Sequence, residues 1–228
     1  MGRVMNTNGV TVGIAICCYK GHIPHLKRLF DSIEIQSRLP DRVVVSCSSS
    51  VPEDIPYIAT QYRFPFEILT CEERQNAAQN RNRAAAHLDT DVVSFFDADD
   101  VMHPRRVEFI HRCFTEHDAV LLLHNIEIDP QAEFMEYGHP NFLRNCLARC
   151  PWGSTILTQP LFQAHIANGH VSVRAEVLQT IRYHESADMQ GREDTIFSTD
   201  VITAYPTRTA YTNYKLSKYF PSRTGGHS

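Results

Sequence analysis

Val92-Val93-Ser94-Phe95-Phe96-Asp97-Ala98-Asp99-Asp100 is apolar at one end and acidic at the other. A short run of β-branched and aromatic residues such as Val92 to Phe96 reads as a strand buried on both faces. The carboxylates then stand at its carboxyl end. Three of them within four residues repel one another, and a solvated loop would let them spread. A hard divalent cation relieves the repulsion, and oxygen ligands suit Mg2+ or Mn2+. The plainer alternative is a turn and helix cap ahead of Pro104. D-x-D alone does not choose between these, because short motifs recur by chance.

The same pattern recurs upstream. Val10 to Tyr19, "VTVGIAICCY", is a continuous apolar run that reads as a buried strand. Leu26, Leu29, Phe30 and Ile33 follow at helical spacing. "RVVVSCSSS" is a second strand ending in small hydroxyl residues, and "FPFEILTC" a third. Ala77, Ala78, Arg81, Ala84, Ala85 and Leu88 recur at helical spacing just before Val92. Strands alternating with helices predict an α/β domain on a mostly parallel sheet. Ligands bind beyond the carboxyl ends of such strands. Tyr19 to Gly21, Ser46 to Ser50 and Asp97 to Asp100 should therefore meet at one edge.

Downstream, Val107, Ile110 and Phe114 predict an inward helix face after Pro104, and "AVLLLHNIEI" a strand. Residues 129–160, with Pro130, Pro140, Pro151, Gly153 and Pro160, read as an irregular excursion. "GHVSVRAEVLQTI" reads as a short strand entering a helix, and 191–202 as a helix burying Ile196, Phe197, Val201 and Ile202. The expectation is one domain over 1–228, in two halves, 10–100 and 101–220. Residues 1–9 and 221–228 read as flexible ends.

Composition narrows the class. The 228 residues are 43% hydrophobic and 21% charged, ordinary for a globular chain. A net charge of −4 argues against nucleic-acid binding by bulk charge. No apolar run approaches the roughly 18 residues of a membrane span, and the first nine residues lack a signal-peptide core. The expectation is a cytoplasmic protein with no transmembrane segment. Seven cysteines, several in apolar runs, suit free thiols in a reducing compartment. Cys146 and Cys150 with nearby His139 have loose spacing and no second pair, which argues against structural zinc.

"IAICCYKGHIPHLKRLFDSIEIQ", "DRVVVSCSSS", "ERQNAAQNRNRAAAHLDTDVVSFFDADD" and "GREDTIFSTD" together resemble family 2 glycosyltransferases of the GT-A fold, from about Gly13 to about Ile202. The resemblance implies a three-layer α/β/α sandwich with a mostly parallel, mixed central sheet. It implies transfer of a sugar from a nucleotide-diphosphate donor to a hydroxyl acceptor on a glycan or glycoconjugate. UDP is the first expectation for the nucleotide, with GDP and dTDP as alternatives. Asp97 and Ala98 would lie near the ribose or base, and Asp99 and Asp100 in the shell of Mn2+ or Mg2+. Arg81 would hold the nucleotide, with Asn82 supporting the loop. Asp194 would be the general base, with Glu193 beside it. Tyr19 and Lys20 would line the nucleobase pocket. Cys17 to Lys20 replaces the family's common Pro-Thr-Tyr-Asn. Ser46 and Cys47 stand where an acidic residue commonly contacts the base, and a serine hydroxyl can hydrogen-bond a base edge.

Each candidate has a structural alternative. Glu193 and Asp194 could be the dipole-favoured first turn of a helix. Arg81 falls among alanines on an apolar face, and an inward arginine needs an anionic partner. Lys20 could be a solvated loop residue. Trp152, between Pro151 and Gly153, could stack on an acceptor sugar or fill the core. His170 and Arg174 are placed on the acceptor side. A sugar nucleotidyltransferase would carry a glycine-rich basic loop after the first strand, which "CCYKGHIPH" lacks. A non-catalytic sugar- or nucleotide-binding module of the same fold is the remaining alternative, and Asp97, Asp99 and Asp194 argue against it.

Overall fold

The computed structural model describes residues 9–55, 62–159 and 165–220. The expectation of flexible ends falls, apart from Gly9, outside these residues. In chain order the elements are β1 (Val12–Tyr19), α1 (Leu26–Glu34), β2 (Arg42–Ser48), β3 (Phe66–Cys71), α2 (Ala77–Ala86) and β4 (Val92–Asp97). Then come β5 (Val101–Met102), α3 (Arg106–Glu116), β6 (Leu121–Glu127), β7 (Leu143–Arg144), β8 (Leu147–Arg149) and β9 (Thr155–Leu157). The last three are β10 (Ser172–Arg174), α4 (Glu193–Ala204) and β11 (Thr209–Lys218).

Among the described residues, nine strands form one mixed sheet in the order β3-β2-β1-β4-β10-β6-β11-β5, with β7 pairing β11. β3, β2, β1 and β4 are parallel. β10 runs against both β4 and β6, and β11 lies parallel to β6. Alternate residues of each strand face opposite layers. Val12, Ile14, Ile16, Val43, Val45 and Phe96 pack with Leu26, Leu29, Phe30 and Ile33 of α1 and Val107, Ile110 and Phe114 of α3. Ala15, Val44, Val93 and Phe95 pack with Ala78 and Ala84 of α2 and Phe197, Val201 and Ile202 of α4. Helices therefore cover both faces, as the three-layer expectation requires.

Local chemistry sets the helix that carries Arg81. Asn76 caps α2: its side chain accepts from Gln79 N at 2.9 Å, and Gln79 Oε1 accepts from Asn76 N at 2.9 Å. α2 thus begins at the carboxyl edge of β2, with Arg81 one turn inside.

Two expectations are corrected, and one strand is added. β11, a ten-residue strand inside the sheet, is not among the expected elements. Its pairing with β6 shifts register between Thr212 and Lys215 and again before Ser217, so its apolar residues lose the period of two. Residues after β10 form a 3-10 turn, Ala175–Gln179, and not an α-helix. The irregular excursion contains β7 and a separate hairpin, β8–β9, which packs on α4 through Thr199 Oγ1 donating to Gly153 O at 2.9 Å.

Candidate donor site at the carboxyl edge of the sheet

The predicted convergence at the sheet edge is present. Cys17 pairs with both Ser46 and Asp97, and Tyr19 with Ser48, so the three strands end together. Past β4 the chain turns tightly, with Asp100 N donating to Asp97 O at 3.3 Å. Ala98 is fully buried, and its N–H donates to Cys17 O at 3.1 Å. Its methyl group packs in the core, so only its backbone belongs to the turn.

Arg81 is the hub of the edge. From α2 it donates to Asp97 Oδ1 and to Glu193 Oε1, both at 2.8 Å, and only 5% of its side chain is exposed. This joins the end of β4 to the start of α4 through a residue of α2 that stands 112 positions before Glu193. Burial pushes the Asp97 carboxyl up, but Arg81 and then His170 outweigh it and hold it below its ordinary value. Glu193 is thereby spent on Arg81, a structural partner of the adjacent Asp194. Asp194 accepts from Thr195 N at 2.6 Å through Oδ1. Burial pushes its carboxyl up, Arg81 opposes, and Glu193 and Asp97 add to the rise. A carboxylate so placed is a stronger proton acceptor than an ordinary aspartate.

Asp97, Asp100 and His170 each offer a ligand atom, and these atoms lie within 4.8 Å of one another. Two hard oxygens and an imidazole nitrogen are a donor set that fits Mn2+ or Mg2+. Asp100 is buried, with Oδ1 accepting from Phe220 N at 2.7 Å and Oδ2 lying 3.0 Å from His170 Nε2. Asp99 is turned elsewhere, 3.5 Å from His22 Nε2. Burial first, then Asp100 and Asp97, push its carboxyl up against the pull of His22. Of the two expected metal residues, the structure puts Asp100 in this group and Asp99 beside it.

The other candidates scatter. Tyr19 is 43% exposed at the rim, its ring 4.2 Å from that of His22. Lys20 pairs with Asp54 at 2.8 Å, which places it on the loop after β2. Ser46 does not face the edge: it is fully buried and donates to Asn80 Oδ1 at 2.9 Å, so its hydroxyl serves the packing of α2 on β2. His170, expected on the acceptor side, is buried within the acidic group. Arg174 pairs in register with Val92, at the opposite end of β4 from Asp97. It donates to Phe114 O at 2.5 Å and lies over the Phe114 ring, away from the edge. Trp152 is 77% exposed at the tip of the β8–β9 hairpin, which rules out a core plug.

Several participants escaped the sequence reading. A Cβ on Gly169 would stand 3.3 Å from Asp97 Oδ2, 3.5 Å from Arg81 Nη2 and 3.6 Å from Asp194 Oδ2. The missing side chain thus leaves space between the acidic group and the candidate base. Arg28 donates to Asp99 O and lies 3.8 Å over the Phe220 ring, fixing the acidic turn from α1. Tyr183 stacks on Phe197 at 4.2 Å with the Arg81 guanidinium 5.2 Å from its ring, and its buried hydroxyl has no hydrogen-bond partner among the described residues. Asn82 holds this residue in place, accepting from Tyr183 N at 3.1 Å and donating to Tyr183 O at 2.9 Å. Only the Gly169-His170 pair beside Val171 carried any signal, a glycine before a short strand.

The chain matches the model of the family described as Glycosyl transferase family 2 over residues 13–181. It is 26% identical over 85 residues to an uncharacterized glycosyltransferase of Haemophilus influenzae, covering 36% of this chain and 32% of that protein. Its fold is similar to that of Staphylococcus aureus TarS 1-349 in complex with UDP, with TM-score 0.66, 17% identity, and 92% of this chain and 60% of that one covered. The complex of the same fragment with UDP-GlcNAc matches with TM-score 0.66 and 18% identity over 95% of this chain and 60% of that one. The chain therefore spans about a third of the curated relative and three fifths of those solved chains.

Proposed function

The chain belongs to glycosyl transferase family 2, and from that premise we propose that it transfers a sugar from a nucleotide-diphosphate donor to a hydroxyl acceptor. The observation that carries this reading is the gathering of Asp97, Arg81 and Asp194 around Gly169, with Asp100 beside Asp97, at the sheet's carboxyl edge. UDP is the favoured nucleotide, because the structurally similar TarS was solved with UDP and with UDP-GlcNAc. The acceptor is a glycan or glycoconjugate, and 10–100 act as the nucleotide half and 101–220 as the acceptor half.

Each residue then has a task. Tyr19 lines the base pocket, and Lys20 borders it through its pair with Asp54. Asp97 and Asp100 would hold the divalent cation by their oxygens, Asp97 in this place beyond its expected one near the ribose. The bound cation supplies charge neutralisation on the leaving diphosphate. Arg81 keeps Asp97 ionised and anchors Glu193, which sets the start of α4. Asp194 takes the acceptor's hydroxyl proton as that oxygen attacks the anomeric carbon, while the bond to the diphosphate oxygen breaks. One displacement from the opposite side inverts the anomeric centre. Exposed Trp152 offers a ring for an acceptor sugar to stack on. No helix among the described residues is long and apolar enough to cross a membrane.

Thermal unfolding with UDP, GDP and dTDP, each with and without Mn2+ or Mg2+, tests the donor site. A ligand at a hundred times its Kd adds about 2.7 kcal/mol to stability, so one nucleotide should raise Tm in the presence of metal. No shift with any of them sinks the reading. Asp194→Ala then separates an enzyme from a binding module: transfer should be abolished while nucleotide stabilisation persists. Transfer surviving in that variant would remove Asp194 from the mechanism.

A further inference from the structure

Tyr183 is 2% exposed, and three elements hold its ring. Phe197 of α4 stacks on it with planes 10° from parallel. Phe95 of β4 meets it edge-on, centroids 4.9 Å apart. Asn82 of α2 bonds both its backbone N–H and its carbonyl. The phenol is therefore fixed in one orientation. Its hydroxyl sits in this packing with no hydrogen-bond partner among the described residues. A buried hydroxyl without a partner is costly, so packing alone would be served better by phenylalanine.

The surrounding groups indicate what would satisfy it. Burial pushes the phenol pKa up, Arg81 opposes, and Asp194, Asp97 and Glu193 add to the rise. The hydroxyl keeps its proton and is a donor in need of an oxygen. Arg81, Asp97 and Asp194 also border the space at Gly169. Arg81 is engaged with Asp97 Oδ1 and Glu193 Oε1, and Asp194 Oδ1 accepts from Thr195 N. The oxygens beside the space are Asp97 Oδ2 and Asp194 Oδ2, at 3.3 and 3.6 Å from where a Cβ of residue 169 would stand. An anionic oxygen entering there would meet two carboxylates and be repelled. An alcohol suits the place, because its O–H donates to a carboxylate while its oxygen accepts from a phenol.

We propose that Tyr183 is a specificity-determining residue whose hydroxyl, unpaired in the empty protein, donates to a hydroxyl of the sugar carried by the donor nucleotide. This deepens the donor-site reading above and rests on it. The nucleotide alone leaves the phenol unpaired. A sugar that presents no oxygen at this point leaves it unpaired as well, which is how a buried polar group rejects the wrong substrate.

The test uses Tyr183→Phe, which keeps the ring and removes one oxygen. Calorimetric titration of the full chain, with Mn2+ and Mg2+ both present, measures UDP, UDP-GlcNAc, UDP-glucose and UDP-galactose on the native protein and the variant. The ligand-free variant should unfold at the native Tm or above it, because the lost oxygen has no partner. UDP should bind both proteins equally. The best-bound sugar nucleotide should bind the variant about tenfold more weakly, the scale of one hydrogen bond, and the preference among the three sugars should shrink. A lower Tm in the ligand-free variant would show that the hydroxyl is already paired within the fold. That result, equal losses for UDP and the sugar nucleotide, no loss for either, or binding of UDP but of none of the three sugar nucleotides would overturn the inference and leave the donor site standing. If UDP does not bind the native protein, the donor-site reading falls and this inference with it.

Discussion

Arg81, itself only 5% exposed, holds two carboxylates from distant parts of the chain, Glu193 largely buried and Asp97 partly exposed. Its removal would take away the guanidinium that both carboxylates face. Breaking such a buried pair typically costs about 3–5 kcal/mol. Arg81→Ala should therefore lower the urea midpoint strongly as well as abolish nucleotide stabilisation, and an unchanged midpoint would show that the bridge is idle. Gly169 makes the opposite case. Its backbone needs no left-handed conformation, so Gly169→Ala should fold with little change in Tm. The new methyl would meet Asp97 Oδ2 at 3.3 Å and enter the space left for the donor. A drop in transfer on the order of 100-fold is expected, the scale of a 1 Å misplacement. Full activity in this variant would mean that the space is unused.

At the scale of elements, α3 is tied to the turn after α1 by a small ionic cluster. Arg105 donates to both oxygens of Glu108, at 2.9 and 2.6 Å, and Ser37 Oγ donates to Oε2 at 2.7 Å. The Arg105 hydrogen bond chiefly, with help from Ser37 and against burial, lowers the Glu108 carboxyl from 4.5 to about 2. A lowered carboxylate stabilises the folded chain fully above its unfolded value. That contribution fades as pH falls from 4.5 through about 2. Glu108 is a quarter exposed, so solvent screening reduces the effect to roughly 1–2 kcal/mol. Glu108→Gln should cost that much at pH 7 by urea unfolding and much less at pH 2.5. An equal cost at both values would place the effect in packing instead of charge. This cluster matters to the site because α3 begins with Arg106, whose guanidinium reaches the His170 turn.

Across the whole molecule, the sheet is continuous from β3 to β5 and draws on strands from residue 12 to residue 218. The proposed nucleotide and acceptor halves share β4, β10 and β6 as adjacent strands. They should unfold together: fluorescence of Trp152, on the β8–β9 hairpin, and far-ultraviolet circular dichroism should report one midpoint in urea. Two separated midpoints would show that the halves are independent units. β11 closes the far side of this sheet and brings Ser217 and Phe220 to the acidic edge. The acidic site is thus completed by the last described residues of the chain.

Much of this was determined by sequence alone. Apolar runs followed by polar clusters identified β1, β2 and β4 and the edge where they end, because buried parallel strands need continuous apolar residues. The acidic run, Arg81 on an alanine face and the Glu-Asp pair before a helix were legible for the same local reason: charge next to an apolar pattern is conspicuous. Ser46 and Arg174 were misread because a side chain's partner depends on which layer packs over it, and that is not local. His170, Gly169 and Ser217 joined the acidic group only through pairing of β10 and β11 with strands far away in sequence. β11 itself was hidden by two register shifts that erase its alternation. Short-range patterning decided the elements and the edge, and long-range strand pairing decided which atoms meet there.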